Sequence, residues 1–94
     1  VLIRAYTYIR LQGAKGLWDI ATNSVLAANY LLARLSKEWE AAFPGPCKHE
    51  FILTMKREAR QEKVKAFDVA KRLLDFGIHA PTVYFPLLVP ECLL

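Results

Sequence analysis

From Leu17 onward, apolar residues recur at intervals of three and four, at Leu17, Ile20, Ala21, Ala28, Leu31, Leu32 and Leu35. That spacing gathers side chains on one face of a long helix. The expected helix follows Gly16 and closes at Ser36-Lys37. At about 100° per residue, Leu26 and Tyr30 fall on nearly the opposite side, among Asp19, Asn23 and Arg34, so the helix carries a second apolar patch and is expected to be covered on two sides. Val1 to Leu11 forms a candidate earlier helix, with Gly13 punctuating the junction.

Pro44-Gly45-Pro46 marks a turn, because proline fixes its own backbone and drives the preceding residue out of the helical region. The pattern then changes to alternation. Phe51, Leu53 and Met55 fall on one face and Glu50, Ile52 and Thr54 on the other, as in a half-buried strand over residues 49–55. Lys56 to Lys65 reads as a charged connector. Helical spacing returns at Phe67, Ala70, Leu73 and Leu74, with Asp68 near the start and Lys71 and Arg72 nearer the end, as the helix dipole favours. Gly77 is the expected left-handed cap, with Ile78 packing back on the last turn. Pro81 stops any continuation, Thr82-Val83-Tyr84-Phe85 has the content of a second strand, and a third short strand is expected from Glu91. The fold class expected is α/β, a long helix followed by strand, helix and strand, with helices on a small sheet.

Composition sharpens this picture. A chain of 94 residues has room for one small domain and little space for both a core and a catalytic cleft. Yet 54% of it is hydrophobic, above the roughly 45 to 50% usual in soluble domains, which calls for a second surface to cover the excess. The apolar ends, Val1-Leu2-Ile3 and Cys92-Leu93-Leu94, read as cut, so a piece of a longer polypeptide is expected. No stretch approaches the roughly 18 to 20 apolar residues of a membrane span, and Cys47 and Cys92 lack framework spacing, so free thiols are expected.

Most chemical constellations have ordinary readings. Cys47, His49, His79 and Cys92 lack the paired short spacings of a zinc module. The net charge of +4 and the cluster Lys56, Arg57, Arg60, Lys63 and Lys65 would suit a phosphate backbone, but Glu58 and Glu62 interrupt it and no aromatic residue alternates with it. A solvated connector is therefore favoured over a nucleic-acid site. Asp75-Phe76-Gly77 lacks every other kinase element and is a helix end; Ser24 and Ser36 have no elbow or local base. No glycine-rich phosphate cradle is present. His79-Ala80-Pro81-Thr82 differs in kind, placing an imidazole and a hydroxyl where a capped helix passes into a strand. A purely structural role for His79 and Thr82 carries equal weight on the residues alone.

Read in order, Gly13-Ala14 with Gly16-Leu17, Ala28-Asn29-Tyr30, Arg34-Leu35, His49-Glu50-Phe51-Ile52-Leu53, Asp68-Val69-Ala70-Lys71-Arg72-Leu73 and Gly77-Ile78-His79-Ala80-Pro81-Thr82 with Phe85-Pro86 resemble the P-protein of the glycine cleavage system, glycine dehydrogenase (decarboxylating). The likeness covers nearly the whole chain. Leu88-Val89-Pro90-Glu91-Cys92 looks more like the second subunit of two-subunit P-proteins than the single-chain form, whereas Lys56 to Lys65 follows no family pattern.

The resemblance implies part of the C-terminal small domain of a fold type I enzyme dependent on pyridoxal 5'-phosphate. Residues 1–36 would be a helical segment leading into it and residues 37–94 an incomplete α/β small domain. Such an enzyme releases CO2 from glycine and transfers the aminomethyl group to the lipoyl group of H-protein. The cofactor would lie outside this segment, since none of the seven lysines sits in the family's cofactor-lysine motif, and the segment alone is expected to be inactive. No catalytic, cofactor-binding or metal residue is assigned. His79 and Thr82 are the candidates for the wall of a substrate cleft, while Asn29 and Glu50, which also match, are read as structural. The implied partners are the remainder of the P-protein, its other subunit, H-protein and glycine, in the cytoplasm or, in a eukaryote, the mitochondrial matrix. Two other readings stay open: the small domain of another pyridoxal-phosphate enzyme such as an aminotransferase, and a basic module binding nucleic acid or an acidic partner through Lys56 to Lys65.

Overall fold

A computed structural model describes residues 1–79 and 82–94. Helix α1 spans Leu2–Leu35 and is broken at Gly13, whose φ of 62° and ψ of −177° belong to no helix. That combination is open essentially to glycine alone, because a Cβ would strain the backbone. The early helix expected over Val1 to Leu11 is thus present. The expected start after Gly16 is corrected, for Gly16 lies inside the helix and Gly13 makes the break. At the other end Ser36 donates its N–H to the Leu32 carbonyl and closes α1 where expected.

Three short strands follow: β1 at Glu40–Ala41, β2 at Leu53–Thr54 and β3 at Cys92–Leu93. They form an antiparallel sheet in the order β1-β2-β3, with Ala41 opposite Leu53 and Leu53 opposite Leu93. An N–H bond from Ala42 to the Ile52 carbonyl extends the first pairing. The strand expected over residues 49–55 is therefore much shorter, and β1 carried no alternating signal because two residues cannot show a period. Thr82 to Phe85 contributes a single bridge, Val83 to Leu93, with Tyr84 N–H donating to Cys92 and Leu94 N–H to the Thr82 carbonyl.

The sheet is covered on both sides at its centre. Leu53, Thr54 and Met55 are all buried, which corrects the expectation that Thr54 faces outward with Glu50 and Ile52. The hydroxyl explains how a polar residue enters: Thr54 Oγ1 donates to the Pro90 carbonyl at 2.7 Å and accepts from Lys56 N–H at 3.3 Å. A hydroxyl with both partners satisfied removes most of the desolvation cost of burial.

The expected charged connector is also corrected, because Lys56–Gln61 forms helix α2. The exposed Arg57 guanidinium donates to the Glu38 carbonyl at 3.2 Å and to Glu58 at 2.8 Å. Helix α3, Ala66–Asp75, ends in a Schellman cap at Gly77 (φ 72°), with Ile78 N–H donating to Leu73 and Gly77 N–H to Leu74. Its buried residues are Ala66 and Ala70, and Val69 packs beside them. Phe67 and Leu74, expected on the buried face, are more than half exposed. Ala66, Val69 and Ala70 face the core, and the bulkier Phe67 and Leu74 lie outward.

The core comprises Leu53, Met55, Ala66, Ala70 and Leu93, flanked by Leu35, Trp39, Phe51, Val69 and Val83. Glu91 ties it together: its carbonyl accepts Met55 N–H at 2.7 Å, and its carboxylate accepts the first N–H of α3, from Ala66, at 3.0 Å. Replacing Glu91 with Ala should lower stability by about 1 to 2 kcal/mol through loss of this cap, with Glu91→Gln losing less. Urea unfolding of both variants, followed by circular dichroism, checks this; equal midpoints for Ala and wild type would remove the cap from the account.

Candidate functional site

The most organised concavity lies where the Pro44–Pro46 turn meets α1 and the sheet. It encloses about 320 Å³ and is bordered by Leu32, Phe43, Cys47, Lys48, Glu50 and Phe51, among others. Asn29 builds it. Its amide donates to the Cys47 carbonyl at 2.7 Å and to the Val25 carbonyl at 2.8 Å, and its side-chain oxygen accepts Cys47 N–H at 3.0 Å. A side-chain amide that replaces both backbone partners of one residue fixes that residue as a strand neighbour would. The structural reading of Asn29 thus acquires a definite task, holding the loop against the helix. No local pattern signals this partnership, since 18 residues separate Asn29 from Cys47.

A second concavity of about 560 Å³ runs further along α1 towards its N-terminal half, between Trp18, Ala21, Val25, Leu26 and Asn29 itself. It takes in Leu26 but not Tyr30, and it includes Ala21 from the main apolar face, so it flanks that face and is not the opposite patch expected around Leu26 and Tyr30; it is open to solvent. Another exposed apolar group sits at the Phe85-Pro86 segment, where Leu87 and Leu88 are about nine-tenths exposed.

His79 and Thr82 are both exposed and lie at the exit of the α3 cap and the edge of the sheet. The peptide units between them, at Ala80 and Pro81, lie outside the described residues. Neither side chain borders the 320 Å³ cleft. Cys47 and Cys92 are both free thiols, Cys92 fully buried and Cys47 partly so.

The residues present do not fit pyridoxal phosphate. That cofactor needs a lysine amine to form its imine and a cradle of donors for its phosphate. All seven lysines are exposed. Lys48 reaches the rim of the cleft, but the neighbouring wall carries the Glu50 carboxylate and apolar rings, not phosphate donors. The basic stretch is no better as an anion site, because Arg57 is committed to Glu58 and the Glu38 carbonyl.

A small α/β unit with a modest core, an exposed helical arm and apolar surface on several sides is the architecture of a domain that works against further protein. The family is now definite: residues 20–94 match the glycine dehydrogenase C-terminal domain, and the chain belongs to that family. Over its whole length the chain is 60% identical to a protein of Thioalkalivibrio sulfidiphilus, 51% to one of Chlorobium chlorochromatii and 59% to one of Nitrosomonas eutropha, each bearing the name "Probable glycine dehydrogenase (decarboxylating) subunit 2". The chain spans about a fifth of the length of these curated relatives, 19%, 20% and 20% respectively. This membership sets aside the aminotransferase reading.

The clamp on Cys47 makes a prediction. Asn29→Ala leaves a backbone donor and acceptor without their partner and should cost about 1 to 3 kcal/mol, while the loosened loop exposes the thiol. Cys47 should then react faster with a maleimide than in the wild type, and an unchanged rate would show that the clamp does not hold the loop.

Proposed function

We propose that this chain is part of a pyridoxal-phosphate-dependent glycine decarboxylase of fold type I, which releases CO2 from glycine and passes the aminomethyl group to the lipoyl group of H-protein. The observation that carries this reading is alignment of all 94 residues, at 51 to 60% identity, with about a fifth of the length of relatives named for that enzyme's second subunit. Residues 1–36 serve as the helical lead-in and residues 37–94 as part of the C-terminal small domain. The other subunit, H-protein and the rest of the polypeptide are its partners. The bacterial relatives favour a cytoplasmic setting, and no helix among the described residues is long and apolar enough to cross a membrane.

The chemistry divides accordingly. The cofactor, when bound, supplies the electron sink that lets glycine lose CO2, and the residues that hold it lie elsewhere in the longer polypeptide. This segment supplies a wall. His79 and Thr82 stand exposed at the exit of a rigid capped helix, where a hydrogen bond can position substrate or a neighbouring catalytic group. A helix end held by a Schellman cap and a sheet edge anchored through Thr82 to Leu94 makes a firm base for such contacts.

Two experiments test this. The isolated 94-residue chain should neither bind pyridoxal phosphate, read by its visible absorbance, nor release labelled CO2 from glycine, while the complete polypeptide with its partner subunit does both. Absence of glycine decarboxylation by that complete assembly would overturn the enzyme assignment. In the same assembly His79→Ala and Thr82→Ala should each lower kcat/KM about tenfold or more, the loss of one hydrogen bond to a reacting group. Unchanged glycine decarboxylation and exchange kinetics would remove both residues from the cleft.

A further inference from the structure

The segment Leu2–Gln12, ahead of the Gly13 break, makes little use of the domain that follows it. Leu2 is 85% exposed, Ile3 82% and Leu11 79%. Its apolar side chains are not gathered on one face. At about 100° per residue, Leu2, Ile3, Tyr6, Tyr8, Ile9 and Leu11 leave no arc much wider than roughly a quarter turn uncovered, and Arg4 and Arg10 are the only charges among these residues. A helix that presents apolar side chains on every side, here with Arg4, Thr7, Arg10 and Gln12 set between them, belongs in a membrane span or in the interior of a larger protein where its polar groups find partners. No helix among the described residues is long and apolar enough to cross a membrane, and a helix lying on a lipid surface would need one polar face. The remaining environment is protein on all sides.

Which protein surrounds it follows from where the family boundary falls. The relatives align with all 94 residues, but the match to the C-terminal domain begins at residue 20. The first 19 residues therefore belong to the relatives' polypeptide without belonging to that domain. Roughly four-fifths of each relative lies outside the matched region, since this chain covers 19% and 20% of two of them. Contacts between separate subunits bury one face of a helix in a patch with a polar rim, whereas burial around the whole circumference needs a surrounding core. Covalent attachment also keeps the rest of the same chain at high effective concentration.

We propose that Leu2–Gln12 is an interior helix of the remaining part of the same polypeptide, enclosed on all sides, with Gly13 setting the angle at which it leaves the C-terminal domain. The proposal rests on the reading that this chain is a segment of a longer protein, as its relatives are. The test uses the complete polypeptide, purified both alone and with its partner subunit, carrying Leu2→Cys or Leu11→Cys. These positions lie on opposite sides of the helix. Maleimide labelling at each, located by peptide mass spectrometry, is compared with the rate of the same cysteine in urea. In the folded polypeptide alone, both should label at least about 100-fold more slowly than in urea, as expected for sites that react only on local opening.

Fast labelling at either position overturns the proposal, leaving a one-sided or free helix. Protection that appears only when the partner subunit is added overturns it too and assigns the helix to a subunit interface. Hydroxyl-radical oxidation of the native Tyr6 and Tyr8 in the unsubstituted polypeptide gives the same reading if a cysteine variant fails to fold: low oxidation of both supports enclosure, and oxidation of either at the urea rate refutes it. Glycine decarboxylation is measured separately, so protection without activity would sink the enzyme assignment and spare the interior helix.

Discussion

Two carbonyl and carboxylate contacts from Glu91 hold the α/β unit together. The backbone at this residue has φ of 47°, which turns the chain so that its carbonyl meets Met55 N–H at the end of β2 while its side chain reaches the first turn of α3. Without that junction β3 would have no fixed register against β2, and α3 would lose a capping acceptor for an otherwise unpaired N–H. Thr54 reinforces the same place by donating to Pro90. A sheet of two-residue strands has too few ladder bonds to define itself, so side-chain bonds from neighbouring residues supply the missing constraints.

The core that these bonds organise is small. Five buried residues form it, in a chain where 54% of residues are hydrophobic. Much of the apolar surface lies outside: the arm before Gly13, the groove beside Trp18, and Leu87 and Leu88. The matched relatives are about five times as long as this chain, and apolar surface of this extent calls for further protein to cover it.

Membership in this family was legible in short blocks along the chain, above all Asp68-Val69-Ala70-Lys71-Arg72-Leu73 beside Gly77-Ile78-His79. The physical content of several blocks is now visible. Ala66 and Ala70 face the core from α3, Gly77 provides the positive φ of a helix cap, and Asn29 bonds both backbone groups of Cys47. The candidate cleft residues His79 and Thr82 were singled out by their place between a capped helix and a strand and then by the resemblance, since an exposed imidazole and hydroxyl carry no periodic or packing signal of their own.

The sequence by itself determined the long helix, its end at Ser36, the break near Gly13 and the cap at Gly77, because each depends on backbone preferences and side-chain spacing within a few residues. Tertiary structure alone decided the rest. Thr54 is buried because Pro90, far along the chain, offers an acceptor; Phe67 and Leu74 stay outside because α3 turns Ala66, Val69 and Ala70 towards the core; β1 exists because β2 offers its edge; and Arg57 is held on the surface by the Glu38 carbonyl. Each of these outcomes is fixed by a partner distant in sequence, and a local pattern carries no information about which distant group will be there.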